Sequence, residues 1–203
     1  MPTTVRQLFN QFDIVNFNQV KWNTPFKETK AGVYIVSTSD NSDKHFGISN
    51  QPIFDDQQIK FWISKLLNFQ IDGISASAEN LRKRLTDFWL PDESILYIGK
   101  APKRKKGSGL SKRVTEYFST IIGNSGPHSG GQWIKTLKNI NSFTVYYGAC
   151  DECGEIENKM LQFFMNNISK ETLLNLHDKQ LPLPFANIKY LSSKKHGFKN
   201  QRL

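Results

Sequence analysis

An arginine and a tyrosine on one helical face are the first residues that could do chemistry. Arg113 and Tyr117 are four positions apart, so in a helix they lie side by side, about 100° around from a stripe of apolar residues. A guanidinium matches phosphate geometry with two parallel N–H donors. The pair therefore predicts phosphate handling; the alternative is an ordinary arginine at the edge of the core, packed over an aromatic ring.

A carboxylate on the apolar side of a second helix is the candidate metal ligand. One and two turns after Glu157 come Leu161 and Phe164, whereas Glu155 and Lys159 form a solvent-facing i, i+4 pair. A buried carboxylate is costly unless it is paired or bound to a cation. Glu157 is therefore the predicted ligand; the alternative is a carboxylate that reaches water at the edge of the apolar face.

Two further groups have more than one interpretation. Cys150 and Cys153 form a lone C-x-x-C, which lacks the second pair of a zinc site and the βαβ context of a thioredoxin-like motif, so we expect free thiols. His128 lies in a glycine-rich loop, where it could support a site or be an ordinary loop histidine.

The net charge of +9 is unevenly distributed along the chain. Residues 98–118 hold seven bases and one acid, and residues 189–203 hold five bases and no acid. The bases of the first patch are Lys100, Lys103, Arg104, Lys105, Lys106, Lys112 and Arg113. Such patches predict a polyanionic partner; the alternative is a solubilising surface with a loose tail.

The composition bounds the class of protein. With 203 residues, 38% hydrophobic and 12% aromatic, the chain can bury a core and is not a disordered protein. It has no run of about 18 apolar residues, no recognisable signal peptide and too few cysteines for a secreted disulfide scaffold. We expect a single domain spanning 1–203 and a cytoplasmic location, with no membrane partner.

Three strands separated by helices are predicted to position these residues. Strands are expected at 32–36, 94–99 and 143–149, where β-branched and aromatic residues alternate. Helical spacing of apolar residues predicts helices at 5–12, 56–69, 77–89, 110–118, around Trp133, at 151–167 and at 171–176. The class is therefore α+β, with 37–93 as a helical insertion and 189–203 as a tail that we expect to be mobile.

Five short motifs occur in order between residues 32 and 187. They are Gly32-Val33-Tyr34, Tyr97-Ile98-Gly99-Lys100, Leu110-x-x-Arg113-x-x-x-Tyr117, Glu155-x-Glu157-Asn158, and Asn187. Each is weak alone, but five in order on the expected strands and helices resemble the GIY-YIG nuclease family over about three quarters of the chain. The resemblance implies a three-stranded antiparallel sheet flanked by helices, and metal-dependent hydrolysis of a phosphodiester bond by a one-step attack of water.

The resemblance also implies roles for individual residues. Glu157 would hold a single Mg²⁺ or Mn²⁺ that polarises the scissile phosphate. Tyr34 would take the proton of the attacking water, its pKa lowered by nearby positive charge. Tyr97 would position that water, and Arg113 would stabilise the charge on the phosphoryl oxygens.

Other motif residues would play supporting parts. Tyr117 stands where many members carry histidine, although the excision-repair branch also has tyrosine there. Lys100 would hold a phosphate, Gly99 completes the second motif, and Asn187 would support the site without touching the substrate. The loop lysines and arginine, together with Lys112, would bind nucleic acid.

The chain departs from the family pattern at two places. Val33 occupies the middle of the first motif, which is a mild change because that side chain packs into the core. More seriously, 62 residues, 35–96, separate the two tyrosines, where compact members use a short hairpin. The loop 103–106 is a second insertion.

The sequence thus favours a stand-alone DNA endonuclease, with RNA as an alternative substrate. It would be a restriction, defence or mobile-element enzyme, and a homodimer if one site per chain must cut both strands. One alternative is a catalytically inactive nucleic-acid-binding module of the same fold. Another is a redox or zinc protein that uses Cys150 and Cys153, which would need further clustered ligands.

Overall fold

The computed structural model describes residues 2–104, 109–124, 130–176 and 181–202. Its strands are β1 (Phe17–Lys21), β2 (Gly32–Ser37), β3 (Leu66–Ile71), β4 (Ile74–Ser75), β5 (Ile95–Ala101), β6 (Thr144–Ala149), β7 (Lys189–Tyr190), β8 (Ser193–Lys194) and β9 (Phe198–Arg202). Its helices are α1 (Val5–Asn10), α2 (Asp56–Ser64), α3 (Ala78–Thr86), α4 (Leu110–Phe118), α5 (Gly130–Ile134), α6 (Cys153–Asn166) and α7 (Lys170–Asn175). Within those ranges, no helix is long and apolar enough to cross a membrane.

The main sheet is antiparallel with the strand order β1-β6-β2-β5. The α+β class is confirmed, but the expected three-stranded sheet has a fourth strand, β1. Its residues pair with β6 from Phe17 opposite Gly148 to Lys21 opposite Thr144. The asparagines around β1 disfavour a strand on local propensity, but pairing with β6 supplies the hydrogen bonds that override it.

The two faces of this sheet carry alternate residues of β2 and β5. Val33, Ile35 and Ile98 pack with apolar residues of α1 and α6. Tyr34 and Tyr97 point to the opposite face, where α4, α5 and the insertion pack. The period-two alternation of a strand thus places the two tyrosines of the first two motifs on one face.

The insertion 37–93 contains the two expected helices and also a hairpin. The helix expected at 56–69 ends at Ser64, and the chain continues as β3, which pairs with β4 and β9. Asp55 begins α2 by accepting hydrogen bonds from the N–H groups of Gln57 and Gln58. The error has a physical reason: the strand partner β9 is far away in sequence, and a local pattern cannot include it.

The tail 189–203, expected to be mobile, forms secondary structure in its described part. β7 and β8 make a short hairpin, and β9 pairs with β3 of the insertion. Lys195, counted in the basic patch, is buried: its Nζ donates to the carbonyls of Leu183 and Pro184, at 2.9 and 3.3 Å. Phe198 of the tail also packs against the core.

Candidate functional site

The three motif tyrosines form one aromatic cluster. Tyr34, Tyr97 and Tyr117 are all buried, although they come from β2, β5 and α4. The rings of Tyr97 and Tyr117 are stacked, with their centroids 4.8 Å apart. The ring centroid of Tyr34 lies 5.7 Å from that of Tyr97 and 5.9 Å from that of Tyr117. The structure therefore brings together three residues that the sequence analysis placed in one site.

Gly99 allows the two strand tyrosines to meet. It is paired with Tyr34 across the β2–β5 ladder. A Cβ atom on Gly99 would come within 2.8 Å of Tyr34 Cζ and 2.9 Å of the Tyr97 hydroxyl oxygen, and closer still to Cε1 of Tyr97. Any other residue would have to displace these rings, so the glycine is required by the packing of the cluster.

Arg113 links the cluster to a charged network on α4. Its guanidinium is hydrogen-bonded to Tyr34 and also donates to the Glu116 carboxylate at 3.2 Å. Arg104 donates to both oxygens of the same carboxylate, at 2.6 and 2.8 Å. These bonds, those from Arg104 above all, lower the pKa of Glu116.

Glu116 is a residue that the sequence analysis did not select. The indication was present, because Glu116 follows Arg113 by three positions on the same helix. What no local pattern could show is that Arg104, on the preceding loop, would make the stronger pair. The carboxylate thus holds two arginines of the basic patch, Arg104 and Arg113, the second of which contacts the tyrosine cluster.

The electrostatics of Tyr34 differ from the expectation. Burial raises its pKa well above the usual value, and the charge and hydrogen bond of Arg113 and the hydrogen bond of Tyr97 only partly oppose this. Burial also raises the pKa values of Tyr97 and Tyr117. The predicted lowering of the Tyr34 pKa was therefore wrong in direction, because burial outweighs the nearby positive charge.

Glu157 lies on α6, on the other face of the sheet, near the strand β5. Its side chain is 15% exposed, and its Oε2 atom is 2.8 Å from Nζ of Lys100. Lys100 follows Gly99 and is paired with Val33, so it points toward α6 rather than toward the tyrosines. The charge of Glu157 nevertheless contributes to raising the pKa values of Tyr34 and Tyr97. The predicted site residues therefore lie on both faces of the sheet at β5: the tyrosines on one face, and Lys100 with Glu157 on the other.

Asn187 binds the outer edge of β5. Its Oδ1 accepts from the Ile98 N–H at 2.9 Å, and its Nδ2 donates to the Ile98 carbonyl at 2.8 Å. The neighbouring Ala186 N–H donates to the carbonyl of Leu96 at 2.8 Å. Asn187 thus acts as a substitute strand partner between Tyr97 and Gly99, which is a supporting position.

The carboxylate of Glu157 could hold one kind of metal site. In the described ranges no three His, Cys, Asp or Glu residues form a metal-binding group, so an all-protein cage is not present there. Mg²⁺ commonly keeps several waters and uses one or two carboxylates together with substrate phosphates. Glu157 fits that arrangement as a single ligand. Its Oε2 atom would then be shared between Lys100 and the metal ion.

The remaining predicted residues have varied surroundings. Lys103 and Lys112 are exposed, whereas Arg104 is held by Glu116. Lys105, Lys106 and His128 lie outside the described residues. Cys150 is half-buried and Cys153 is buried, both are free thiols, and burial raises the pKa of each, that of Cys150 to about 11.

Comparisons of the chain with family models, with curated proteins and with solved structures give no match.

Proposed function

We propose that this protein is a metal-dependent nuclease that hydrolyses phosphodiester bonds of DNA, as its resemblance to the GIY-YIG family implies. The observation that carries the proposal is the environment of Tyr34. A guanidinium that is hydrogen-bonded to it and a carboxylate near the cluster, from two different helices, both act on this phenol. A phosphate-binding cation, a hydroxyl and a potential metal ligand are the groups that phosphodiester hydrolysis requires.

In this proposal five residues of the candidate site have roles. Arg113 stabilises the negative charge that builds up on the phosphoryl oxygens. Tyr34 and Tyr97 hold the attacking water through their hydroxyl groups. Glu157 would hold the Mg²⁺ or Mn²⁺ ion, which would polarise the scissile phosphate, and Lys100 would share the carboxylate with the metal.

The raised pKa of Tyr34 restricts its role. Near pH 7 the phenol is neutral, so it donates a hydrogen bond and accepts another instead of removing a proton as a phenolate. We therefore assign Tyr34 to orienting the water, with the proton passing to solvent or to a phosphate oxygen. This replaces the role of general base that the family resemblance implies.

The test compares two carboxylates on one helix. Purified protein is incubated with Mg²⁺ or Mn²⁺ and duplex DNA, and nicked and linear products are quantified. Glu157→Gln is expected to reduce the rate by at least about a hundredfold, as is usual when transition-state charge stabilisation is lost. Glu155→Gln, on the exposed face of α6 beside Lys159, is the matched control and is expected to cut like the wild type.

A second variant separates catalysis from binding. Arg113→Ala is expected to remove cutting while DNA affinity falls by no more than about tenfold, the cost of one lost phosphate contact. If the wild type and Glu157→Gln show equal residual cutting across DNA and RNA substrates, the proposed activity is contradicted. Cutting of RNA in preference to DNA would reassign the substrate but keep the mechanism.

Two observations favour a second candidate, a nucleic-acid-binding module without catalysis. Tyr34 is buried, and the carboxylate of Glu157 is occupied by Lys100. This candidate predicts DNA binding that is unchanged by Glu157→Gln and no cutting with either metal. Mapping of cut ends on a long random DNA would separate the two, and the ends would also show whether a dimer cuts both strands.

A further inference from the structure

A cleft of about 720 Å³ lies at the end of the main sheet where β2 begins and β5 and β6 end. Among the residues that the structure describes, its rim carries the bases Lys30, Lys103 and Arg104, the last of them paired with Glu116, and the acid Asp151. Ala31, Ala149 and Cys150 supply its less polar lining. A volume in this range is typical of sites for small organic ligands, and the excess of positive charge favours an anionic one.

The walls of the cleft are held by the backbone. The Leu110 N–H donates to the carbonyl of Lys30 at 3.0 Å, and the Cys150 N–H donates to the carbonyl of Ala31 at 3.1 Å. Gly109 permits the first of these contacts, since a Cβ there would collide with the Lys30 carbonyl. The loop that carries Lys30 is therefore fixed to α4 on one side and to the end of β6 on the other.

Residues that line the cleft are close in sequence to residues of the candidate site. Ala31 precedes Tyr34 by three residues, and Lys103 follows Lys100 by three residues. At about 3.3 Å per residue in an extended chain, the Cα atoms of each pair are at most about 10 Å apart. That distance is about three base-pair steps of a DNA duplex. Arg104 on the rim and Arg113 beside the cluster both pair with the carboxylate of Glu116. This shared carboxylate fixes the position of Arg104 relative to Arg113.

We propose that this cleft binds a nucleoside phosphate, namely a nucleotide that flanks the scissile phosphate in the bound strand. Lys30, Lys103 and Arg104 bind its phosphate, and the surface of Ala31, Ala149 and Cys150 receives its sugar or base. Glu116 is a positioning residue that sets the rim arginine at a fixed distance from Arg113. The proposal rests on the nuclease function and names where that substrate lies.

Cys150 is suited to this passive role. Burial raises the pKa of its thiol to about 11, so near neutral pH it is uncharged and a weak nucleophile. An uncharged thiol beside two alanines presents an apolar surface to a sugar or base. The cleft thus combines an apolar wall with a cationic rim, as an amphipathic nucleotide requires.

The test measures binding without cleavage. Affinity for a short fluorescein-labelled duplex is measured by anisotropy in EDTA at several salt concentrations, for the wild type and for Lys30→Gln/Lys103→Gln. The matched control is Lys60→Gln/Lys138→Gln, which removes two exposed lysines that do not line the cleft. We expect the double variant to lose about 2 units of log–log salt slope and roughly tenfold or more in affinity, and the control to resemble the wild type. Equal slopes for both double variants would overturn the proposal.

A second measurement uses the unaltered protein. A duplex carrying 4-thiothymidine near the cut site is irradiated in the complex, and the crosslinked peptides are identified by mass spectrometry. Crosslinks to residues 29–31 or 149–151 are expected, and crosslinks only outside the cleft would overturn the proposal.

Free nucleotide is the other source of the same chemistry. Binding of dAMP is therefore measured by calorimetry. If dAMP binds the wild type and not the cleft variant, while duplex binding is the same in both, the cleft serves free nucleotides and the strand proposal is wrong.

The nuclease function and the cleft can fail separately. A protein that binds DNA in the cleft but never cuts contradicts only the function. If Glu157→Gln abolishes cutting while the cleft variant binds like its control, only the cleft proposal is wrong.

Discussion

At the residue scale, packing around single atoms determines whether the tyrosine cluster can exist. Gly99 has no space for a side chain because the rings of Tyr34 and Tyr97 fill it. Gly154, at the start of α6, differs: the nearest atoms to a Cβ there belong to the Lys100 side chain, at 3.7 and 3.9 Å. An alanine substitution should therefore destabilise the protein at Gly99 but not at Gly154.

We expect Gly99→Ala to lower the free energy of unfolding by about 1–3 kcal/mol, because it overpacks a tight core. Gly154→Ala is expected to be neutral or to stabilise by up to about 1 kcal/mol, since alanine favours the helix. Urea unfolding followed by tryptophan fluorescence measures both. A Gly99→Ala midpoint equal to that of the wild type would show that the rings yield without cost. Cutting by Gly99→Ala should also fall, because Tyr34 and Tyr97 must move.

At the element scale, a buried lysine connects the C-terminal strands to the segment 183–184 and to the insertion. Lys195 lies over the ring of Phe88, with Nζ 5.1 Å from the ring centroid, and donates to two backbone carbonyls. β9 follows three residues later and pairs with β3. The positive charge of Lys195 is therefore used inside the protein and does not contribute to a DNA-binding surface.

We expect Lys195→Ala to destabilise the protein by about 1–3 kcal/mol, because the buried Leu183 carbonyl loses the lysine donor and the Pro184 carbonyl is left with the hydrogen bond from the Asn187 N–H. Amide hydrogen exchange in β3 should also become faster as β9 detaches. Lys194→Ala, an exposed neighbour, is the control and should change neither quantity. Unchanged protection of β3 in Lys195→Ala would mean that β9 is held by its apolar contacts alone.

At the scale of the whole molecule, a buried carboxyl links stability to pH. Glu93 is 3% exposed, and burial, together with the charge of Asp92, raises its pKa from 4.5 to about 8. Below pH 4.5 the group is protonated in both the folded and the unfolded chain. Between pH 4.5 and 8 only the unfolded chain releases the proton, so the contribution of Glu93 to stability falls as the pH rises.

Glu93→Gln should remove this pH dependence. At pH 8 we expect it to be more stable than the wild type by at least about 1 kcal/mol, and at pH 4.5 the difference should be small. Thermal unfolding at the two pH values measures this, with Glu79→Gln, an exposed carboxyl on α3, as control. A stability difference between Glu93→Gln and the wild type that does not grow from pH 4.5 to 8 would show that Glu93 is ionised in the folded protein.

Much of the fold could be predicted because local patterns carried the information. β2, β5 and β6 have dense β-branched and aromatic residues, and α6 has a wide apolar face, so their types were predicted correctly. β1, β3 and β9 were missed because their sequences are ambiguous and because β6 is distant from β1 and β9 is distant from β3 along the chain. A strand of this kind is defined by its neighbour, which a local window does not contain.

The sequence by itself determined which residues could form a site: the tyrosines, Arg113, Glu157 and Asn187, from their types, spacing and order. Only the tertiary structure decided their electrostatic states and partners. It buried Tyr34 and so raised its pKa, paired Glu157 with Lys100, joined Arg113 to Arg104 through Glu116, and placed Lys195 inside the core. The reason is physical: the charge state and contacts of a side chain depend on desolvation and on neighbours that are distant in sequence.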